Sequence, residues 1–203
     1  MTCRPPTIGI VGGIGSGKST VATALAELGC VIACADANVK KILATKEIQE
    51  ELVAWWGNAV LDADGELNTK AIADLVFNNE KERGRLEQLL HPLARNMQEA
   101  AFEKADQHTK ACVIDAPLLL ETSLAELCDF IIFVEVSTEI RQNRVIASRG
   151  WTAEELERRE STQLPLDIKR KRADYIVMNE GDLDNVKHQV EQILEDIKTR
   201  QRA

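Results

Sequence analysis

Thr7-Ile8-Gly9-Ile10-Val11-Gly12-Gly13-Ile14-Gly15-Ser16-Gly17-Lys18-Ser19-Thr20 opens with an apolar run and passes through five glycines within nine residues. It then enters a stretch with Val21, Leu25 and Leu28 at helical spacing. Gly12 to Ser19 fits the pattern G-x-x-x-x-G-K-[ST], and strand before, helix after is the context that pattern needs to cradle phosphate. Glycines let the backbone turn so that successive N–H groups point inward, and the helix N-terminus adds a favourable dipole potential. Gly13, Ile14, Gly15, Ser16, Gly17, Lys18, Ser19 and Thr20 are therefore the expected nucleotide contacts, with Lys18 on the β- and γ-phosphates and Ser19 on Mg²⁺. A dinucleotide-binding G-x-G-x-x-G fails on register, because a reading from Gly13 and Gly15 puts Lys18 where the third glycine belongs.

Working outward, four more apolar runs follow at Cys30 to Ala33, Ala111 to Ile114, Phe130 to Val136 and, more weakly, Tyr175 to Met178. They lack polar alternation, which predicts strands covered on both faces, and helical patterns lie between them. The expected fold class is α/β: a parallel sheet between helical layers. Asp182 is placed to cap a last helix carrying Leu183, Val186, Val190, Ile193, Leu194 and Ile197 on one face. Residues 40–105 favour helix and read as an insertion between the second and third strands. The expected division is a core of about 1–39, 106–140 and 172–203, that insertion, and a lid over about 141–171.

Composition narrows the function. With 203 residues, 44% of them hydrophobic, the chain can bury one good core. A net charge of −8 gives no basic field for a nucleic-acid backbone, so a small phosphorylated ligand is expected instead. No signal peptide or membrane span is legible, and the cytoplasm is the expected compartment. Cys3, Cys30, Cys34, Cys112 and Cys128 are scattered without paired spacing, and are expected to be reduced and mostly buried.

Asp115 closes the third apolar run, where a carboxylate at the carboxyl end of an inner strand can serve Mg²⁺ or cap the turn at Pro117. Asp36 follows the second run, either as general base for an acceptor hydroxyl or as N-cap of a helix from Ala37. Arg141, Arg144, Arg149, Arg158 and Arg159 crowd one stretch of an otherwise acidic chain. Glu154 with Arg158 and Glu155 with Arg159 have i,i+4 spacing, which explains the last two arginines as a solvated face and leaves Arg144 and Arg149 as catalytic candidates. His91 and Pro92 read as the start of a helix carrying Leu93 and Met97. Trp55 and Trp56, being adjacent, are not expected to face one core.

Taken together, the phosphate loop, Asp36, His91-Pro92-x-x-Arg95 and Asp115-x-Pro117-Leu118-Leu119-x-Glu121 resemble the dephospho-coenzyme A kinases. Arg159-x-x-x-Gln163, Lys169 and Ala173-Asp174-Tyr175-Ile176-Val177-x-Asn179-x-Gly181 extend the likeness over nearly the whole chain. The resemblance implies a P-loop nucleoside triphosphate hydrolase-type fold, a five-stranded parallel core with a helical substrate lobe and lid. It also implies ATP-dependent phosphorylation of dephospho-coenzyme A. By the same route Asp36 becomes the base or acceptor-binding acid, His91 and Arg95 substrate contacts, and Asn179 and Gly181 neighbours of adenine. The chain departs from the pattern at Cys34, where the family often has aspartate, and in the looser spacing of its lid arginines. A monomer or weak homo-oligomer is expected. Rival readings are a kinase of the same architecture with another acceptor, and a nucleotide-gated binding module.

Overall fold

The computed structural model describes residues 4–77 and 79–201, which leaves the expectation for Cys3 outside the described residues. Strands β1 (Thr7–Gly12), β2 (Val31–Cys34), β3 (Cys112–Asp115), β4 (Phe130–Glu135) and β5 (Tyr175–Met178) coincide with the five apolar runs, with ends shifted by a residue or so. They form one parallel sheet in the order β2-β3-β1-β4-β5. All six residues of the central strand β1 are buried, which is why its sequence shows no alternation.

Helices α1 (Lys18–Glu27) and α9 (Leu183–Arg200) share a core with the sheet, built from Val21 and Leu25 of the first and Val186, Val190, Ile193, Leu194 and Ile197 of the second. Asp182 caps α9, accepting hydrogen bonds from the N–H groups of Asp184 and Asn185. Leu183 departs from the expected stripe: as the first residue of the helix it precedes the turn at which burial begins, and it stays exposed. Beyond β4 come α6 (Thr138–Arg149), α7 (Ala153–Glu160) and α8 (Leu166–Lys171). Together with the turn at Leu119–Glu121, α8 lies against β1.

The chain divides into two compact units. One holds the residues up to Cys34 and from Ala101 onward, and so contains the whole sheet together with α6, α7 and α8; the other is Ala35–Ala100. The second unit contains α2 (Ala35–Leu43), α3 (Lys46–Trp56), α4 (Thr69–Phe77) and most of α5 (Glu80–Phe102). It has a separate apolar cluster centred on Ile42, Ile48, Leu52, Val60, Ile72 and Leu90. Its strand content among the described residues is a single antiparallel bridge, Leu61 to Leu67.

Two sequence expectations change here. Pro92 does not open a helix but sits inside α5, where its missing N–H removes one rung of the ladder and packing on either side carries the helix past it. Trp55 and Trp56 both border the same cluster, because α3 ends at Trp56 (φ −125°, ψ 3°) and the backbone no longer turns the second ring by a helical step. The rings meet edge to face at 5.6 Å, with Arg85 over Trp55 and the Trp56 Nε1–H donating to Glu82.

Candidate active site

The phosphate loop turns between Gly12, which ends β1, and Lys18, which starts α1. The Ser16 N–H donates to the Gly13 carbonyl, and the Thr20 and Val21 N–H groups donate to Gly17, so the turn runs directly into the helix. Gly17 has φ +84°, a left-handed conformation, and an added Cβ would lie 2.2 Å from the Asn179 amide nitrogen. A side chain at this position therefore meets both strain and a collision. Gly17→Ala is expected to abolish detectable nucleotide binding and lower the melting temperature by several degrees, as read by calorimetric titration and a thermal melt. Nucleotide binding at wild-type affinity would contradict this geometry.

Asn179 follows β5 and is 2% exposed; its side-chain amide donates to the Ser16 carbonyl at 2.8 Å. The Arg144 guanidinium donates to the carbonyls of Asn179 at 2.9 Å and Ser16 at 3.3 Å. Arg144 therefore bridges the loop to the turn after β5. Arg149 is exposed at the end of α6, 4.8 Å from the Trp151 ring, on which Arg159 also rests at 4.1 Å. Glu155 binds both Arg158 and Arg159, so these arginines do pair along α7, through one shared carboxylate.

The arginine buried at the loop is Arg141, which the sequence placed in the cluster without singling it out. It is 3% exposed, donates to the Ile14 carbonyl at 3.2 Å and pairs with Glu160. Glu160 in turn accepts the Ile14 N–H at 3.0 Å. An added Cβ at Gly13 would come within 2.7 Å of Arg141 and 3.0 Å of Glu160, so a larger residue there would displace the pair from the loop. Lys18 Nζ donates to the carbonyls of Gly12 and Gly13, both at 3.1 Å.

Beside this site, three residues from separated family motifs meet. Lys169, 1% exposed, binds Glu121 at 2.9 Å and Gln163 at 3.0 Å, while Glu121 also accepts the Leu164 N–H at 2.9 Å. A buried ion pair with these extra hydrogen bonds pins α8 and the segment before it to the end of the Leu118–Glu121 turn.

Asp115 ends β3, half-buried and in register with Ile10 of β1 and Cys34 of β2, at the carboxyl edge from which the phosphate loop also springs. Ser19 is exposed in the first turn of α1. A hydroxyl and a carboxylate suit Mg²⁺, a hard cation that takes few protein ligands and fills its shell with phosphate oxygens and water. Among the described residues no group of three His, Cys, Asp or Glu forms a closed metal cage.

In the second unit, Asp36 is exposed in the first turn of α2, one residue inside a helix that starts at Ala35, so it is not the N-cap of a later helix. His91 and Arg95 are exposed one turn apart on α5, with Arg95 paired to Glu99 at 2.9 Å. The cysteines at 30, 34, 112 and 128 are all free thiols, two buried and two half-buried. Burial pushes the Cys30 thiol up to about 11 and the Cys128 thiol to about 12, which keeps both protonated at neutral pH.

The family model for dephospho-CoA kinase, CoaE, matches residues 6–185. The chain belongs to the dephospho-CoA kinase family. It is 36% identical over 190 residues to a dephospho-CoA kinase of Geobacillus kaustophilus, covering 93% of this chain and 94% of that one. The solved structure of TT1252 from Thermus thermophilus superposes with a TM-score of 0.83 at 32% identity, over 96% and 98% of the two chains. A dephospho-CoA kinase from Campylobacter jejuni, at 22% identity and a TM-score of 0.67, shares the fold over 96% and 98% of the two chains.

Proposed function

We propose that the chain transfers the γ-phosphate of ATP to the ribose 3′-hydroxyl of dephospho-coenzyme A, giving coenzyme A and ADP. The observation that carries this reading is the family match along residues 6–185, spanning a phosphate loop with its lysine and two arginines in place. The loop N–H groups and Lys18 bind the phosphates, while Arg141 and Arg144 set the loop and supply positive charge where charge develops during transfer. Ser19 and Asp115 would hold Mg²⁺, which neutralises phosphate charge when bound. The turn at Asn179 to Gly181 is the proposed neighbour of adenine, with the Asn179 side chain committed to the loop and the backbone around Gly181 left for the base.

Asp36 is the proposed acid that orients the acceptor hydroxyl and takes its proton, an assignment resting on the family pattern. His91 and Arg95 present a hydrogen-bonding ring and a cation from one face of α5, suited to the phosphates of the acceptor. Among the described residues no helix is long and apolar enough to cross a membrane, and the proposed setting is the cytoplasm.

The test is coenzyme A formation, followed by chromatography, with Mg²⁺, ATP and a panel of dephospho-coenzyme A, adenosine monophosphate and no acceptor. Product only with the first supports the reading, and transfer to adenosine monophosphate or to none of them rejects it. Asp36→Asn is expected to lower kcat by roughly 10²- to 10⁴-fold, with little change in melting temperature because the residue is exposed. A variant that retains its kcat would remove Asp36 from the chemistry.

A further inference from the structure

The loop built to receive phosphate already holds an anion from its own chain. Glu160 ends α7 and its Oε1 accepts the Ile14 N–H at 3.0 Å while pairing with Arg141. The same Arg141 nitrogen, Nη1, also donates to the Ile14 carbonyl at 3.2 Å, and the Nε is buried without a hydrogen-bond partner. A guanidinium so enclosed needs an anion beside it, because a buried charge without a partner is costly. Glu160 is less confined: it borders a cavity of about 630 Å³ between α6 and α7, whose polar lining includes Thr138, Gln142, Glu157 and Gln163.

We propose that Glu160 is a displaceable internal anion, which gives up the Ile14 N–H and Arg141 to a phosphate oxygen when nucleotide enters the loop. The inference rests on the reading of Gly12 to Ser19 as a phosphate site. One amide cannot serve a carboxylate and a phosphate at once, and two anions at that separation repel. Binding is then an exchange in which Arg141 passes from a carboxylate to a phosphate without ever losing an anionic partner. Glu157 lies one turn earlier on α7 at the same cavity, so an expelled carboxylate meets like charge there and is biased to return once the nucleotide leaves. The loop is thus closed against weak anions, at the cost of part of the nucleotide's affinity.

The alternative role for the same contacts is a strut, in which Glu160 props Arg141 and the loop in their binding shape. The two roles predict opposite signs. Titration calorimetry with tripolyphosphate, which has phosphates and no base, is the test, with adenosine as control and unliganded thermal melts to verify folding. Glu160→Gln is expected to bind tripolyphosphate roughly tenfold more tightly than wild type, the scale of one charge-assisted hydrogen bond released from competition. Glu160→Asp keeps the charge but withdraws it by one methylene, and should fall between the two; it decides the matter if the glutamine variant does not fold. Adenosine affinity should be unchanged in both. Equal or weaker tripolyphosphate binding by the folded variants overturns the proposal in favour of the strut. An equal gain for adenosine overturns it by placing the effect outside the phosphate site. If wild type fails to bind tripolyphosphate at all, the phosphate-site reading falls and takes this inference with it.

Discussion

Lys18→Ala is expected to lower kcat/KM for ATP by about 10²- to 10³-fold while the protein still folds. The half-buried side chain ends in an ammonium that donates to the carbonyls of Gly12 and Gly13. Each such bond contributes roughly 1 kcal/mol to stability, so truncation should move the melting temperature by only a few degrees in a chain of this size. In the proposed transfer the same group would lie against the phosphate oxygens, where a preformed cation has no substitute from solvent. Steady-state kinetics with dephospho-coenzyme A beside a calorimetric melt separates the two effects. Turnover within tenfold of wild type would break the assignment of this lysine to phosphate.

Lys169→Ala is expected to have the largest effect on stability. Lys169 is 1% exposed and neutralises Glu121, whose second oxygen is already buried without a partner. Removing the cation leaves a mostly buried carboxylate without its partner, a change that costs about 3–5 kcal/mol and corresponds to a fall of roughly 6–20 °C in melting temperature. The pair itself need not be net stabilising, since desolvation consumes most of its Coulomb energy. The double variant Lys169→Met with Glu121→Gln is therefore expected to recover at least half of the loss, because the new amide oxygen still accepts the Leu164 N–H. A single variant as stable as wild type, or a double variant no better than the single, would show that the cluster does not carry charge in this way.

The sheet and the loop were legible because their signals are local. An unalternating apolar run, a glycine-rich turn ending in Lys18 and a helical stripe can each be read within about fifteen residues, and β1, the loop and α1 stand where the sequence put them. The pairs that position the loop are not local. Arg141 meets Glu160 across 19 residues and Ile14 across 127, while Asn179 reaches Ser16 across 163. Nothing in the spacing of the arginines after β4 distinguishes Arg141, which faces the loop, from Arg149, which faces Trp151. Pro92 misled for a physical reason: proline fits both the first turn and, where packing compensates, the interior of a helix, and the local sequence is the same in either case. Family motifs quoted from separate stretches gained meaning only when Glu121, Gln163 and Lys169 proved to touch.

The order β2-β3-β1-β4-β5 also governs the birth of the protein. Of the five strands the first to be made is the central one, and both its neighbours come late: Thr7 pairs with Cys112, and Ile8 with Phe130. At about 5–20 residues per second, β1 waits roughly 5–20 s for β3 to be made, an apolar segment with bare edges throughout. Meanwhile Ala35–Ala100 can gather its own apolar cluster, and the nascent chain is most exposed to wrong strand pairing in that interval. A ribosome stalled before β3 would therefore present quality-control proteases with a phosphate loop attached to an unpaired hydrophobic strand.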